Sequence, residues 1–75
     1  MSEQDKKIEN LDENDTAILN NRGWHLVDLY RSRDGGDGST AHNKAMEKAL
    51  TLKREVGIRT VVKEGVTYFE VWEHW

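Results

Sequence analysis

Ile58-Arg59-Thr60-Val61-Val62-Lys63-Glu64-Gly65-Val66-Thr67-Tyr68-Phe69-Glu70-Val71-Trp72 is the stretch around which the rest of this chain must fold. Two runs rich in β-branched and aromatic residues flank Glu64-Gly65, and glycine reaches positive φ in a tight turn at no steric cost. The stretch therefore predicts a β-hairpin with a two-residue loop. Its register sets Lys63 opposite Val66, Val61 opposite Tyr68, Arg59 opposite Glu70 and Ile58 opposite Val71. Alternate residues point to opposite faces. Ile58, Thr60, Val62, Thr67, Phe69 and Val71 then make a core face. Arg59, Val61, Lys63, Val66, Tyr68, Glu70 and Trp72 make a second face that pairs Arg59 with Glu70. That face is more apolar than a solvated sheet face usually is, so part of it is expected to be covered.

Upstream of the hairpin, Ala41 to Val56 predicts a long helix. Ala41, Ala45, Ala49, Leu52 and Val56 recur at spacings of three and four, Met46 and Leu50 widen the stripe, and Gly57 is the expected stop. Asp34-Gly35-Gly36-Asp37-Gly38-Ser39 reads as a loop before it, with Ser39 or Thr40 as the cap. Trp24 to Arg31 reads as a strand, with Val27 and Leu29 on the core face and Trp24, Leu26, Asp28 and Tyr30 on the second face. Strand, helix and strand in this order predict a βαβ crossover with parallel strands.

Residues 12–22 offer Asp and Asn caps, an apolar Ala17-Ile18-Leu19 and a closing Gly23, the pattern of a short helix, although the apolar triplet also fits a short strand. Residues 1–11 carry only Ile8 and Leu11 as large apolar residues after Met1 and are expected to be a flexible acidic arm. The fold class that follows is α+β. Residues 12–75 form a single small domain, a three-stranded mixed sheet in β-α-β-β order with one long helix on one face, preceded by the short helix and the arm.

Ile18-Leu19-Asn20-Asn21-Arg22-Gly23-Trp24-His25-Leu26-Val27 resembles a segment that recurs in small uncharacterised bacterial domains, with His25 where those usually carry an acid. The resemblance implies a helix-to-strand junction and no activity.

At 75 residues the chain is near the size where one core barely suffices for stability. It has no cysteine, hence neither disulfides nor thiolate metal sites. No long apolar run marks a signal peptide or a membrane span, and the expected location is cytoplasmic.

The net charge of −3 is unevenly distributed. Residues 1–20 hold six carboxylates against two lysines, a balance of −4, and the remainder holds nine Lys/Arg against eight Asp/Glu, a balance of +1. This acidity opposes electrostatic capture of nucleic acid and suits a basic partner.

No motif names a reaction. Gly35 to Thr40 leads into a helix N-terminus but lacks the Gly-Lys-Ser/Thr of a P-loop and carries Asp34 and Asp37, which repel phosphate. The same acids do not fall in the pattern of a calcium loop. His25, His42 and His74 show no ligand spacing. One small sheet and one long helix leave little room for a water-excluding pocket. The expectation is a protein that is not an enzyme and uses no cofactor or metal.

The leading reading is a protein-binding module that engages a basic host protein, one that itself binds nucleic acid, and inhibits it in the manner of a DNA mimic. The residues expected to bind are Glu3, Asp5, Glu9, Asp12, Glu13, Asp15, Asp34, Asp37, Glu70 and Glu73, with Tyr68 and Trp72 on the second sheet face. At the level of class, a short chain without cysteine or proline, opening Met1-Ser2-Glu3-Gln4-Asp5 and closing Glu73-His74-Trp75, resembles small bacteriophage proteins that bind and inhibit a host protein. One alternative is an RNA- or DNA-binding domain that stacks bases on Trp24, Tyr30, Tyr68 and Trp72. Another is a homodimer joined through that face, and the simplest use of its aromatics is to pack beneath the short helix.

Overall fold

Glu64 and Gly65 turn the chain with φ of 52° and 80°, the paired positive values of a two-residue hairpin loop. In the computed structural model, which describes residues 7–32 and 39–75, the elements follow in the order β1 (Ile8–Asn10), α1 (Thr16–Asn21), β2 (Trp24–Arg31), α2 (Ser39–Thr51), β3 (Glu55–Lys63) and β4 (Val66–His74). The hairpin register is as expected, with Lys63 opposite Val66, Val61 opposite Tyr68, Arg59 opposite Glu70 and Ile58 opposite Val71.

The sheet has four strands in the order β1-β3-β4-β2, one more than expected. Ile8–Asn10, expected within the arm, pairs parallel with Val56–Ile58. Residues 1–6 lie outside the described residues. Ile8 packs against the core and Leu11 is buried, so burial offsets the ordering of this segment despite its polar neighbours. β2 and β3 run in the same direction, as a crossover requires. They are not neighbours, because β4 lies between them and is antiparallel to both.

α2 covers one face of the sheet. Ala41, Ala45 and Ala49 meet Val56, Ile58, Phe69 and Val71 in one buried cluster. Complete burial of a valine such as Val71 stabilises by about 1.5–3 kcal/mol. The helix stops at Thr51, short of the expected Val56, and Leu52 N–H closes its last turn on Ala49 C=O. Val56 and Gly57 continue β3 instead, held between β1 and β4. Val56 fits the helical stripe by spacing, but pairing on both sides of the strand outweighs that pattern.

A β-bulge in β2 between Leu26 and Asp28 corrects a second expectation. One extra residue inverts the alternation beyond it. Trp24 and Leu26 face the same side as Trp72, as expected. Past Val27, Asp28 and Tyr30 stand opposite Val71 and Phe69 on the α2 side, and Leu29 and Arg31 stand opposite Glu70 and Tyr68 on the second face. Tyr30 therefore packs against the α2 core, and Leu29 is left 48% exposed.

Among the described residues, no helix is long and apolar enough to cross a membrane.

Candidate functional site

The second face is covered at one end only. Asp15 caps α1, its carboxylate accepting the Ala17 N–H at 2.9 Å, and Gly23, at φ +93°, ends the helix and starts β2. This places Leu19 over Trp24 and Trp72, and Leu11 completes that cluster. Covering by the short helix is thus what uses the surplus apolar surface. Trp72 is 1% exposed and Trp24 7%, so Trp72, expected at a binding surface, is a core residue.

One arginine fastens this cover to the sheet. Arg59 Nε donates to Glu70 Oε1 at 2.6 Å, its NH1 donates to the Glu13 and Asn14 carbonyls, and its NH2 donates to Thr16 Oγ1. The Trp72 indole N–H donates to the same Glu70 oxygen at 2.9 Å, and the guanidinium lies 5.2 Å from the Trp72 ring centre. A buried guanidinium is tolerated only when its donors are used, and here the approach to α1 supplies acceptors that the hairpin lacks. Glu70, expected to face a partner, is engaged inside the molecule.

Beyond α1 the face is open. A groove of about 600 Å³ lies over Leu29, Val61 and Tyr68, walled on one side by Asn14 and Thr16 and reaching Lys63 at the hairpin end. Leu26 adds exposed apolar surface on β2. The wall residues Asn14 and Thr16 are flanked in sequence by Asp12, Glu13 and Asp15, of which Glu13 lies 4.0 Å from Arg22 and Asp15 caps α1. A smaller groove of about 180 Å³ opens on the α2 side of the β1–β3 edge, between Ile8, His42, Met46 and Thr60.

The expected binding residues are therefore dispersed. Tyr68 lines the groove, whereas Asp12, Glu13 and Asp15 do not line it and only adjoin its wall residues Asn14 and Thr16 in sequence. Glu9 is half-buried on β1 opposite Gly57. Glu73 stands opposite His25 and Val56, away from the second face. Glu3, Asp5, Asp34 and Asp37 lie outside the described residues, as does most of the Gly-rich loop. Leu29 was not expected here, and no local signal marks the bulge that delivers it.

Of the four aromatics considered for base stacking, only Tyr68 remains on the open face. Trp24 and Trp72 are buried, and the Tyr30 hydroxyl donates to Asp28 Oδ2 on the α2 side. The three histidines sit apart: His25 stacks on Trp75 at 3.8 Å, His42 meets the Phe69 ring edge, and His74 Nε2 lies 2.7 Å from the Arg22 carbonyl. Among the described residues no group of three His, Cys, Asp or Glu side chains is placed to hold a metal ion.

No protein-family model, curated protein or solved structure matches this chain.

Proposed function

We propose that this chain is a non-enzymatic protein-binding module that docks a basic partner on the open part of its second sheet face. The observation that carries this reading is the groove over Leu29, Val61 and Tyr68, whose wall residues Asn14 and Thr16 belong to the stretch that carries Asp12, Glu13 and Asp15. Apolar floor with a charged rim is the composition of a protein interface, where burial supplies affinity and charge supplies orientation and encounter rate. Of the three charged residues that line the groove, Arg59 and Glu70 are paired with each other and Lys63 stands at the hairpin end, so the groove presents mainly contact surface. The carboxylates at residues 1–20 add a field of the sign that attracts a basic protein. If that partner binds nucleic acid, occupation of its basic surface inhibits it, which is the DNA-mimic form of the proposal.

The test is capture of proteins from a nuclease-treated lysate on the immobilised full chain, repeated in rising salt and with Tyr68→Asp. Basic proteins that are retained at low salt, released by salt and lost with Tyr68→Asp support the reading. Capture indifferent to both salt and Tyr68→Asp overturns it.

A further inference from the structure

The two grooves meet at a stretch of sheet edge that is unpaired among the described residues. In a two-residue hairpin the residues closing the loop form a hydrogen-bonded pair. Lys63, Val61, Arg59 and Gly57 therefore turn their backbone groups toward β4, and Val62, Thr60, Ile58 and Val56 turn theirs outward. β1 occupies the outward side only as far as Asn10 opposite Ile58, where Leu11 N–H takes the Ile58 carbonyl at 2.9 Å. The chain then departs over the second face toward α1. Past that point no described residue pairs with the outward groups of Thr60 and Val62. Both grooves reach this notch, since Thr60 lines each of them and Val62 lines the larger one while standing 65% exposed.

The other edge of the sheet is blunted at Leu29. Ser32 N–H donates to Thr67 C=O, so Tyr30 and Asp28 also face β4 and Leu29 faces outward. The Asp28 carboxylate accepts that outward Leu29 N–H at 2.8 Å. An incoming strand at β2 would meet a carboxylate where it needs a donor, a common way of blunting an edge. Among the described residues no such device guards β3 at Thr60 and Val62.

We propose that the β3 edge at Thr60–Val62 is a strand-addition site for an extended segment of a partner protein carrying alternating basic and apolar side chains. This rests on the protein-binding reading and gives it a mode. Main-chain bonds to Thr60 and Val62 hold the segment in line with β1, about 4.8 Å from β3. Side chains on one side of the segment lie over Val61 and Tyr68, beside the wall residues Asn14 and Thr16, and the carboxylates that flank these in sequence, Glu13 and Asp15, favour a basic residue there. Side chains on the other side meet His42 and Met46 in the smaller groove, which selects an apolar one.

A displayed library of short random peptides, panned at low salt on the full chain, supplies the probe, and its strongest binder is synthesised. The expected binder alternates basic and apolar residues and slows hydrogen exchange at the Val62 amide. Val62→Pro removes that outward donor and weakens binding about five- to tenfold, the loss of roughly one main-chain hydrogen bond, whereas Val62→Thr does not. Methylating alternate amides of the peptide gives the same answer without touching the protein. A library that yields no binder overturns strand addition. Binding that ignores Val62→Pro and peptide methylation but is lost with Tyr68→Asp also overturns it, and leaves docking on the face intact. Binding indifferent to Val62→Pro, Tyr68→Asp and salt overturns both readings. Self-association of the chain that Val62→Pro abolishes makes a second copy the occupant and overturns the partner segment.

Discussion

Leu11 occupies the space that a side chain at Gly57 would fill: a Cβ built on Gly57 would stand 2.7 Å from Leu11 Cγ. Gly57, the third residue of β3, thus lets the residue after β1 drop into the cluster of Leu19, Trp24 and Trp72 on the second face. An edge strand of three residues is anchored by that contact and by the Leu11 N–H bond to Ile58.

Gly57→Ala is therefore expected to destabilise the fold by about 1–3 kcal/mol through overpacking against Leu11. Leu11→Ala alone leaves a cavity and costs about 2–4 kcal/mol. Because the second change makes room for the first, the double variant is expected to lose less than the two losses added together. Urea unfolding of all four proteins checks this, and strict additivity would show that the two side-chain positions do not compete for space.

Arg59→Ala removes a guanidinium whose side chain is 8% exposed and leaves Glu70 and the carbonyls of Glu13 and Asn14 without their donor. The expected loss is about 3–5 kcal/mol, the usual result of breaking one partner out of a buried pair. Arg59→Lys is expected to restore little, since an ammonium cannot reach Glu70, the carbonyls and Thr16 from one planar fork. Denaturant midpoints together with Trp72 fluorescence report both the loss and the release of α1.

Proline at Val61 and at Val62 should differ although the residues are adjacent. Val61 N–H faces β4, and Val61→Pro is expected to cost on the order of 2–4 kcal/mol in a lost ladder bond and an unsatisfied acceptor. Val62 N–H faces outward, and Val62→Pro is expected to stay within about 1 kcal/mol of the parent, because edge positions tolerate a missing donor. Equal losses in thermal or urea unfolding would contradict the assignment of inward and outward groups.

The Asp28 carboxyl is held below its ordinary value of 3.8, first by the Leu29 N–H and then by the Tyr30 hydroxyl. A folded value below the unfolded one gives stability that is present above the ordinary aspartate value and is lost as pH falls through the folded value. The same bond holds the Tyr30 hydroxyl above its ordinary 10.0, first through its hydrogen bond to Asp28. Its contribution is fully present below that value and is lost as pH rises through the folded one. In an absorbance titration, Asp28→Asn is expected to bring Tyr30 back toward its ordinary value and to weaken the acid-side loss of stability. An unchanged phenol titration would exclude the bond.

Much of the candidate site was legible in the residues. The two-residue loop fixed the hairpin register, and with it the Arg59–Glu70 pair and the placing of Tyr68 and Trp72 on one face. What separated Tyr68 from Trp72 was the cover, since α1 and Leu11 bury one end of the face and leave the other open. Leu29 joined the groove through a bulge that no residue type announces.

The sequence by itself determined the hairpin, its turn, the strand Trp24–Arg31, the Gly23 helix stop and the Ala41, Ala45, Ala49 stripe. These depend on φ preference, side-chain alternation and helical period, which act between residues a few positions apart. Tertiary structure alone decided that β4 separates β2 from β3, that Ile8–Asn10 adds a fourth strand, that Val56 leaves the helix pattern for the sheet, and that β2 bulges at Val27. Each of these is a competition between distant segments for the same unpaired backbone and buried surface, and a periodicity read along the chain cannot say which segment wins.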